Sequence, residues 1–252
     1  MKIKEKSILI TGASSGIGAE LAKIYAEQNA AVFLVARRIN KLNELKSKLD
    51  QFSSKIFTYQ CDVSNKSEVA DTFKQIKKET SFIDIAILNA GSGHNMKIEN
   101  FNSELAEEIF GANVLGMIYW IEQLLPDYLK NKKGILAGVS SLADNRGYSG
   151  SGFYCASKAA ATIYLDGLRV ELKKHGVKVI TIKPGFVKTP MTDKNNFKMP
   201  LLMSVEKAGR IIFKGIKKEK NIIQFPMLTV IGSKLIGALP TSIYEKLPIE
   251  SN

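Results

Sequence analysis

Tyr154 and Lys158 lie four residues apart in the run Tyr154-Cys155-Ala156-Ser157-Lys158. On a helix that spacing puts both side chains on one face, one turn apart. A free phenol, with a pKa near ~10, exchanges its proton poorly at neutral pH. An ammonium about 5 Å away favours the phenolate by roughly 3 kcal/mol at an effective dielectric of about 20. That corresponds to about two pKa units. The pair is therefore suited to giving a proton to, or taking one from, an oxygen whose charge changes during a reaction. Taken alone, Tyr154 reads more readily as a half-buried structural tyrosine.

A second cluster suits an anion. The run Thr11-Gly12-Ala13-Ser14-Ser15-Gly16-Ile17-Gly18 follows a short apolar segment and opens a helix-period one. Gly12 permits a tight turn, Gly16 a close approach of backbone to a pyrophosphate, and Gly18 close packing of helix on sheet. The free N–H groups and positive dipole end of the helix favour phosphate.

The elements that must hold these groups follow from periodicity. Apolar runs at 8–10, 31–36, 56–59, 83–88, 135–139, 177–182 and 222–225 predict strands. The early ones are continuous in Ile, Leu and Val, as strands covered on both faces are. Helix-period segments at 17–28, 41–49, 68–78, 104–129, 154–175 and 205–217 alternate with them. The alternation predicts an α/β fold: a doubly wound, Rossmann-type parallel sheet of about seven strands with helices on both faces. With no repeat, linker or composition break, residues 1–252 read as one domain. Within it, 190–252 form a substrate lid and C-terminal tail. The lid segment, 193–203, reads equally as a plain surface loop.

The TGxxxGxG spacing resembles the classical short-chain dehydrogenase/reductase family, and further matches follow in order from about residue 7 to 192. Asp62-Val63 is similar to the family's adenine-side acid after the third strand. Asn89-Ala90-Gly91 is similar to its NAG motif, and Asn113-Val114-Leu115-Gly116 to its NxxG. Ser141 with Tyr154 and Lys158 is similar to the family's Ser and YxxxK. Pro184-Gly185, with Val187 and Thr189 after it, is similar to the PG motif and the nicotinamide contact.

The resemblance implies an oxidoreductase acting between a carbonyl and its alcohol, with Asn113, Ser141, Tyr154 and Lys158 as catalytic residues. Tyr154 is the acid/base. Lys158 lowers its pKa and holds the nicotinamide ribose. Ser141 orients the carbonyl oxygen, and Asn113 holds a water on a proton path. Ser14, Ser15 and Ile17 of the glycine turn join the cofactor-binding set. Ala36 stands where NAD-specific members carry a carboxylate, and Arg37 follows it. Guanidinium groups clamp a 2′-phosphate that a carboxylate would repel, so the expected cofactor is NADP(H). Arg37 is the phosphate partner, and Arg38 assists it or stacks on adenine. The family's substrate positions fall on Leu142, Ala143, Phe186, Val187 and Met191, an apolar set with polar options at Asp144, Asn145 and Arg146. The substrate is a small-molecule carbonyl or alcohol. A catalytically silent NADP(H)-binding sensor is the alternative, although such relatives usually lose the tyrosine or lysine. Epimerases and lyases on this fold carry a larger C-terminal domain.

Composition narrows the partners. The chain has 252 residues, 45% hydrophobic and 24% charged, enough for a core without staples. A net charge of +12 suits an anionic partner, but the lysines are scattered, and no nucleic-acid motif accompanies them. Nucleic acid is not expected. Cys61 and Cys155 form no CxxC, and with His94 and His175 they offer no metal-ligand spacing. Reduced thiols and the lack of a signal or membrane-spanning segment fit a cytoplasmic protein. In the tail, Leu228, Ile231, Leu235 and Leu239 form an apolar stripe at helical spacing. It is expected to close over the site or pack on a second subunit, with weak contact to an anionic membrane surface as the other option. The family's habit of pairing through its long central helices implies a homodimer or homotetramer.

Overall fold

The first strand, β1 (Ser7–Thr11), is buried along its whole length. Its alternate residues feed two separate cores. Ile8 and Ile10 pack on one side with Leu21 and Tyr25 of α1 (Gly16–Glu27), and Leu9 packs on the other. A strand covered on both faces needs no polar alternation, which is why its interior, Ile8, Leu9 and Ile10, is continuously apolar. The same holds for β2 (Ala31–Ala36), β4 (Ile85–Leu88) and β5 (Ile135–Val139). With β3 (Ile56–Gln60), β6 (Lys178–Pro184) and β7 (Ile222–Phe225) they form one seven-stranded sheet in the order β3-β2-β1-β4-β5-β6-β7. All neighbouring pairs are parallel.

This computed structural model describes residues 1–195 and 199–247. One face of the sheet carries α1, α2 (Ile39–Leu49) and α7 (Val205–Lys217). The other carries α3 (Lys66–Glu79), α5 (Gly116–Asn131) and α6 (Gly152–Lys173). This is a Rossmann-type doubly wound fold, and the chain reverses its order of travel between β1 and β4. Ligand clefts of such sheets open at that reversal, beyond the C-terminal strand ends.

The expected single helix over 104–129 is broken. Helix α4 (Glu104–Phe110) runs into a π-helical turn, Gly111–Leu115, before α5. Crowding and a polar anchor coincide there. A Cβ on Gly116 would lie 2.8 Å from Val63 Cγ2. Inside the turn, Asn113 is buried and bonded to neighbouring segments. Single π-turns of this kind concentrate at functional sites.

The tail forms α8 (Met227–Ala238) and the short α9 (Thr241–Tyr244). Val230 and Ser233 are the buried side of α8, and Leu228, Ile231 and Leu235 face outward. The apolar stripe thus does not close over the site within this chain. Among the described residues, no helix is long and apolar enough to cross a membrane.

Candidate active site

The glycine turn joins β1 to α1. Gly12 and Gly16 both have positive φ, +66° and +57°. A Cβ on Gly12 would lie 2.8 Å from Ala90 Cα, and one on Gly18 only 2.5 Å from the Gly12 carbonyl oxygen. These are backbone collisions, so the turn is closed to larger side chains. Asn89 Nδ2 donates to the Thr11 carbonyl at 3.0 Å, tying the NAG segment beneath the turn. Helix α1 starts with no side-chain cap and no acidic residue in its first turn. By contrast, α3 and α7 are capped by Asn65 and Ser204. The uncapped N–H groups of α1 are left for an anion.

A cleft of about 370 Å³ lies over the C-terminal strand ends. It gathers nearly all the residues singled out from sequence: Gly12, Ser14, Ser15, Gly16 and Ile17 from the turn, Arg37 and Arg38 after β2, and Asp62 and Val63 after β3. Asn89, Ala90 and Gly91 come from the end of β4, Ser141 follows β5, and Tyr154 and Lys158 stand on α6. Pro184, Gly185, Val187 and Thr189 complete it. Gly18 and Asn113 do not line it. Gly18 is packing beneath the turn, and Asn113 sits behind the wall. Both amide protons of Asn113 are committed, to the Ser92 carbonyl and to Ser157 Oγ, each at 2.9 Å. Its Oδ1 accepts from Ser92 N at 2.8 Å.

The two arginines divide their work. Arg38 reaches back over the turn, donating from Nη2 to Ser14 Oγ and Ser15 Oγ, each at 2.8 Å. Arg37 is exposed and lies 3.7 Å from Asp62.

Lys158 is 4% exposed and donates to the Val139 carbonyl at 3.1 Å. Its ammonium is 5.7 Å from the centre of the Tyr154 ring. The sequence expectation of a depressed tyrosine pKa is reversed here. Burial pushes the Tyr154 phenol up, and a hydrogen bond with Ser141 offsets part of that. Burial also pushes the Lys158 ammonium down to about 8. The i, i+4 estimate counted the mutual attraction but not the water both charges lose.

Ser92 and Glu108 also line the cleft, joined by a 2.8 Å bond from Ser92 Oγ to Glu108 Oε1. Their separation of sixteen positions has no helical or strand meaning, and only the placement of α4 brings them together. His94 lies 4.0 Å from Glu108 at this rim. The expected lid at 193–203 includes residues 196–198, which fall outside the described residues. Its far end is anchored by Met203, which donates to the Phe186 carbonyl and accepts from Lys188 N, each at 2.9 Å. Cys61 and Cys155 are buried and free.

Among known proteins, the chain is 32% identical to an uncharacterized oxidoreductase of Myxococcus xanthus, over 95% of both chains. It is 35% identical to an uncharacterized oxidoreductase of Staphylococcus epidermidis, over 78% of this chain and 84% of the relative. The fold is shared with a short-chain dehydrogenase/reductase from Burkholderia phymatum solved in complex with NAD. That likeness has a TM-score of 0.87 at 18% identity, covering 100% of this chain and 99% of that one. A short-chain dehydrogenase from Sphingobium yanoikuyae in complex with NADPH gives 0.81 at 23% identity, covering 94% and 97%. The short chain dehydrogenase family model matches residues 6–200. With the parallel sheet, the glycine turn and the Ser141, Tyr154 and Lys158 cluster already in hand, this match establishes that the chain is an oxidoreductase of the short-chain dehydrogenase/reductase family.

Proposed function

We propose that the protein interconverts a small carbonyl compound and its alcohol with NADP(H), using Tyr154 as general acid/base. The observation that carries this reading is the convergence of Ser141, Tyr154 and Lys158 on the cleft that the uncapped start of α1 also lines. The residues fit a dinucleotide. The glycine turn packs too tightly on Ala90 and on itself to accept a Cβ at Gly12 or Gly18, and the α1 N–H groups it leads into suit a pyrophosphate. Asp62 and Val63 would hold the adenine side, and Lys158, Pro184, Gly185, Val187 and Thr189 the nicotinamide side.

A bound nicotinamide dinucleotide supplies or takes up the hydride. The chain's own residues handle the oxygen. Tyr154, protonated at neutral pH as a phenol is and pushed further up by burial, delivers its proton to the carbonyl oxygen as charge develops there. Ser141 steers that oxygen by hydrogen bonding. The Lys158 ammonium, still charged below about pH 8, favours the phenolate that is left. Asn113 acts as a positioning residue, fixing Ser92 and Ser157 behind the wall.

Cofactor choice rests on Arg37 and Arg38 standing after a strand that ends in Ala36, with Arg38 bonded to Ser14 of the glycine turn. Two guanidinium groups with no carboxylate at position 36 favour a 2′-phosphate. Equilibrium titration tests this. NADPH binds more tightly than NADH, and Arg37→Ala weakens NADPH about tenfold, the loss of one charge-assisted contact, while leaving NADH unchanged. Equal affinity for the two cofactors in the wild type would overturn the assignment.

A further inference from the structure

Behind the Ser141 loop lies a buried ionic cluster that the proposed reaction does not use. Asp144 accepts an ion pair from Lys183 Nζ at 2.7 Å and a hydrogen bond from Thr162 Oγ1 at 2.5 Å, both at Oδ2. Its side chain is 2% exposed, that of Lys183 19%, and Asp144 Oδ1 has no hydrogen-bond partner among the described residues. Thr162 Oγ1 lies 2.7 Å from Ser140 Oγ, which in turn lies 2.9 Å from the Lys158 carbonyl oxygen.

Stability alone does not account for this cluster. Taking two charges out of water is costly, and an apolar pair of similar volume is often no less stable. An unsatisfied carboxylate oxygen adds to that cost.

The connectivity points to another role. Lys183 immediately precedes Pro184-Gly185. Thr162 is one turn beyond Lys158 on α6. Ser140 immediately precedes Ser141. One carboxylate thus joins the three elements that carry the oxygen-binding serine, the acid/base pair and the PG loop. Asp144 also follows Ala143, whose N–H donates to Ser141 Oγ at 3.1 Å. Ser141 Oγ is thereby held from behind, leaving its own proton to point elsewhere. Leu142 N donates to the Pro184 carbonyl at 3.0 Å, so backbone and ionic ties between the two loops run side by side.

We propose that Asp144 is a positioning residue for the reaction. Paired with Lys183 and bonded to Thr162, it fixes Ser141 relative to Tyr154 and the PG loop. It does not touch substrate or cofactor, and it does not line the cleft. The inference rests on the reading of that cleft as a carbonyl-reducing site.

The test compares the wild type, Asp144→Asn and Thr162→Val, each as the full chain. NADPH is saturating, and the probes are para-nitrobenzaldehyde, acetophenone and phenanthrenequinone. Asp144→Asn keeps the shape but removes the charge. Thr162→Val cuts the link to Ser140 without burying a new charge. The expected result is a kcat lowered about tenfold or more in Asp144→Asn, as for a reacting group moved off its mark. NADPH affinity stays at the wild-type value, and Thr162→Val lowers kcat in the same sense with its Tm held. Should Asp144→Asn fail to fold, Thr162→Val decides alone. A Tm lowered with wild-type kcat and KM in either folded variant would make the cluster merely structural and overturn the proposal. A wild type that reduces none of the probes would instead remove the reading of the cleft, and this inference with it.

Discussion

Replacing Tyr154 by Phe lowers kcat for carbonyl reduction about a thousandfold, within the range for loss of a general acid. NADPH affinity stays at the wild-type value. The phenol is the general acid of the cleft, with Ser141 bonded to it, so its removal leaves the developing oxyanion the Ser141 hydrogen bond but no group to transfer a proton. The ring remains and still packs against Gly93, where a Cβ would lie 2.9 Å from Tyr154 Cδ2. The fold is therefore unchanged. The direction of the pKa shift adds a pH signature. A raised phenol is protonated across neutral pH, so reduction is flat there. Alcohol oxidation needs the phenolate and rises with pH. Stopped-flow kinetics in both directions checks both statements, and a reduction rate that climbs with pH through neutrality would contradict the acid role.

The second large effect has opposite signs on activity and stability. Lys158→Met abolishes turnover but raises Tm. Burial lowers the Lys158 pKa from 10.5 to about 8. That difference corresponds to a charge-burial cost of roughly 3 kcal/mol at neutral pH. Loss of the bond to the Val139 carbonyl returns about 1 kcal/mol. The net gain of about 2 kcal/mol amounts to roughly 4–8 °C in a chain of this size. The sign with pH follows from proton counting. Below about 8 both folded and unfolded forms carry the proton, and the full penalty is present. Between about 8 and 10.5 the unfolded chain holds the proton that the native one has released, so wild-type stability from this group rises with pH. Above 10.5 the penalty is gone, and the advantage of Lys158→Met vanishes with it. Thermal melts across this window read the effect. A variant less stable than the wild type at neutral pH would mean that the ammonium supports the fold. A buried charge kept at a cost to stability is the usual signature of a functional site.

Much of this was legible in the sequence, for identifiable reasons. The strands are legible because residues buried on both faces are apolar in a continuous run, as in Ile8, Leu9 and Ile10 and in Ala31–Ala36. The glycine turn was legible because Gly12 and Gly18 have no substitute: a Cβ at either meets backbone. What depended on tertiary placement was not legible. The periodicity of 104–129 runs through the π-turn, whose cause is the bonding of Asn113 to Ser92 and Ser157, residues distant in the chain. The spacing of Tyr154 and Lys158 gave their attraction, but burial reversed the net shift. Arg38, read as an aid to Arg37 or a platform for adenine, lines the cleft and also bonds to Ser14 and Ser15, contacts that its position in the chain does not announce. The Asp144–Lys183 pair, 39 positions apart by residue number, had no sequence signal at all.

The most direct measurement is NADPH consumption by the purified wild type against a panel of aldehydes, ketones and quinones, with NADH run in parallel. Turnover of at least one carbonyl, faster with NADPH than with NADH, is the predicted result. Tight NADPH binding with no turnover across the panel would contradict a carbonyl reductase and favour a protein that only senses the cofactor.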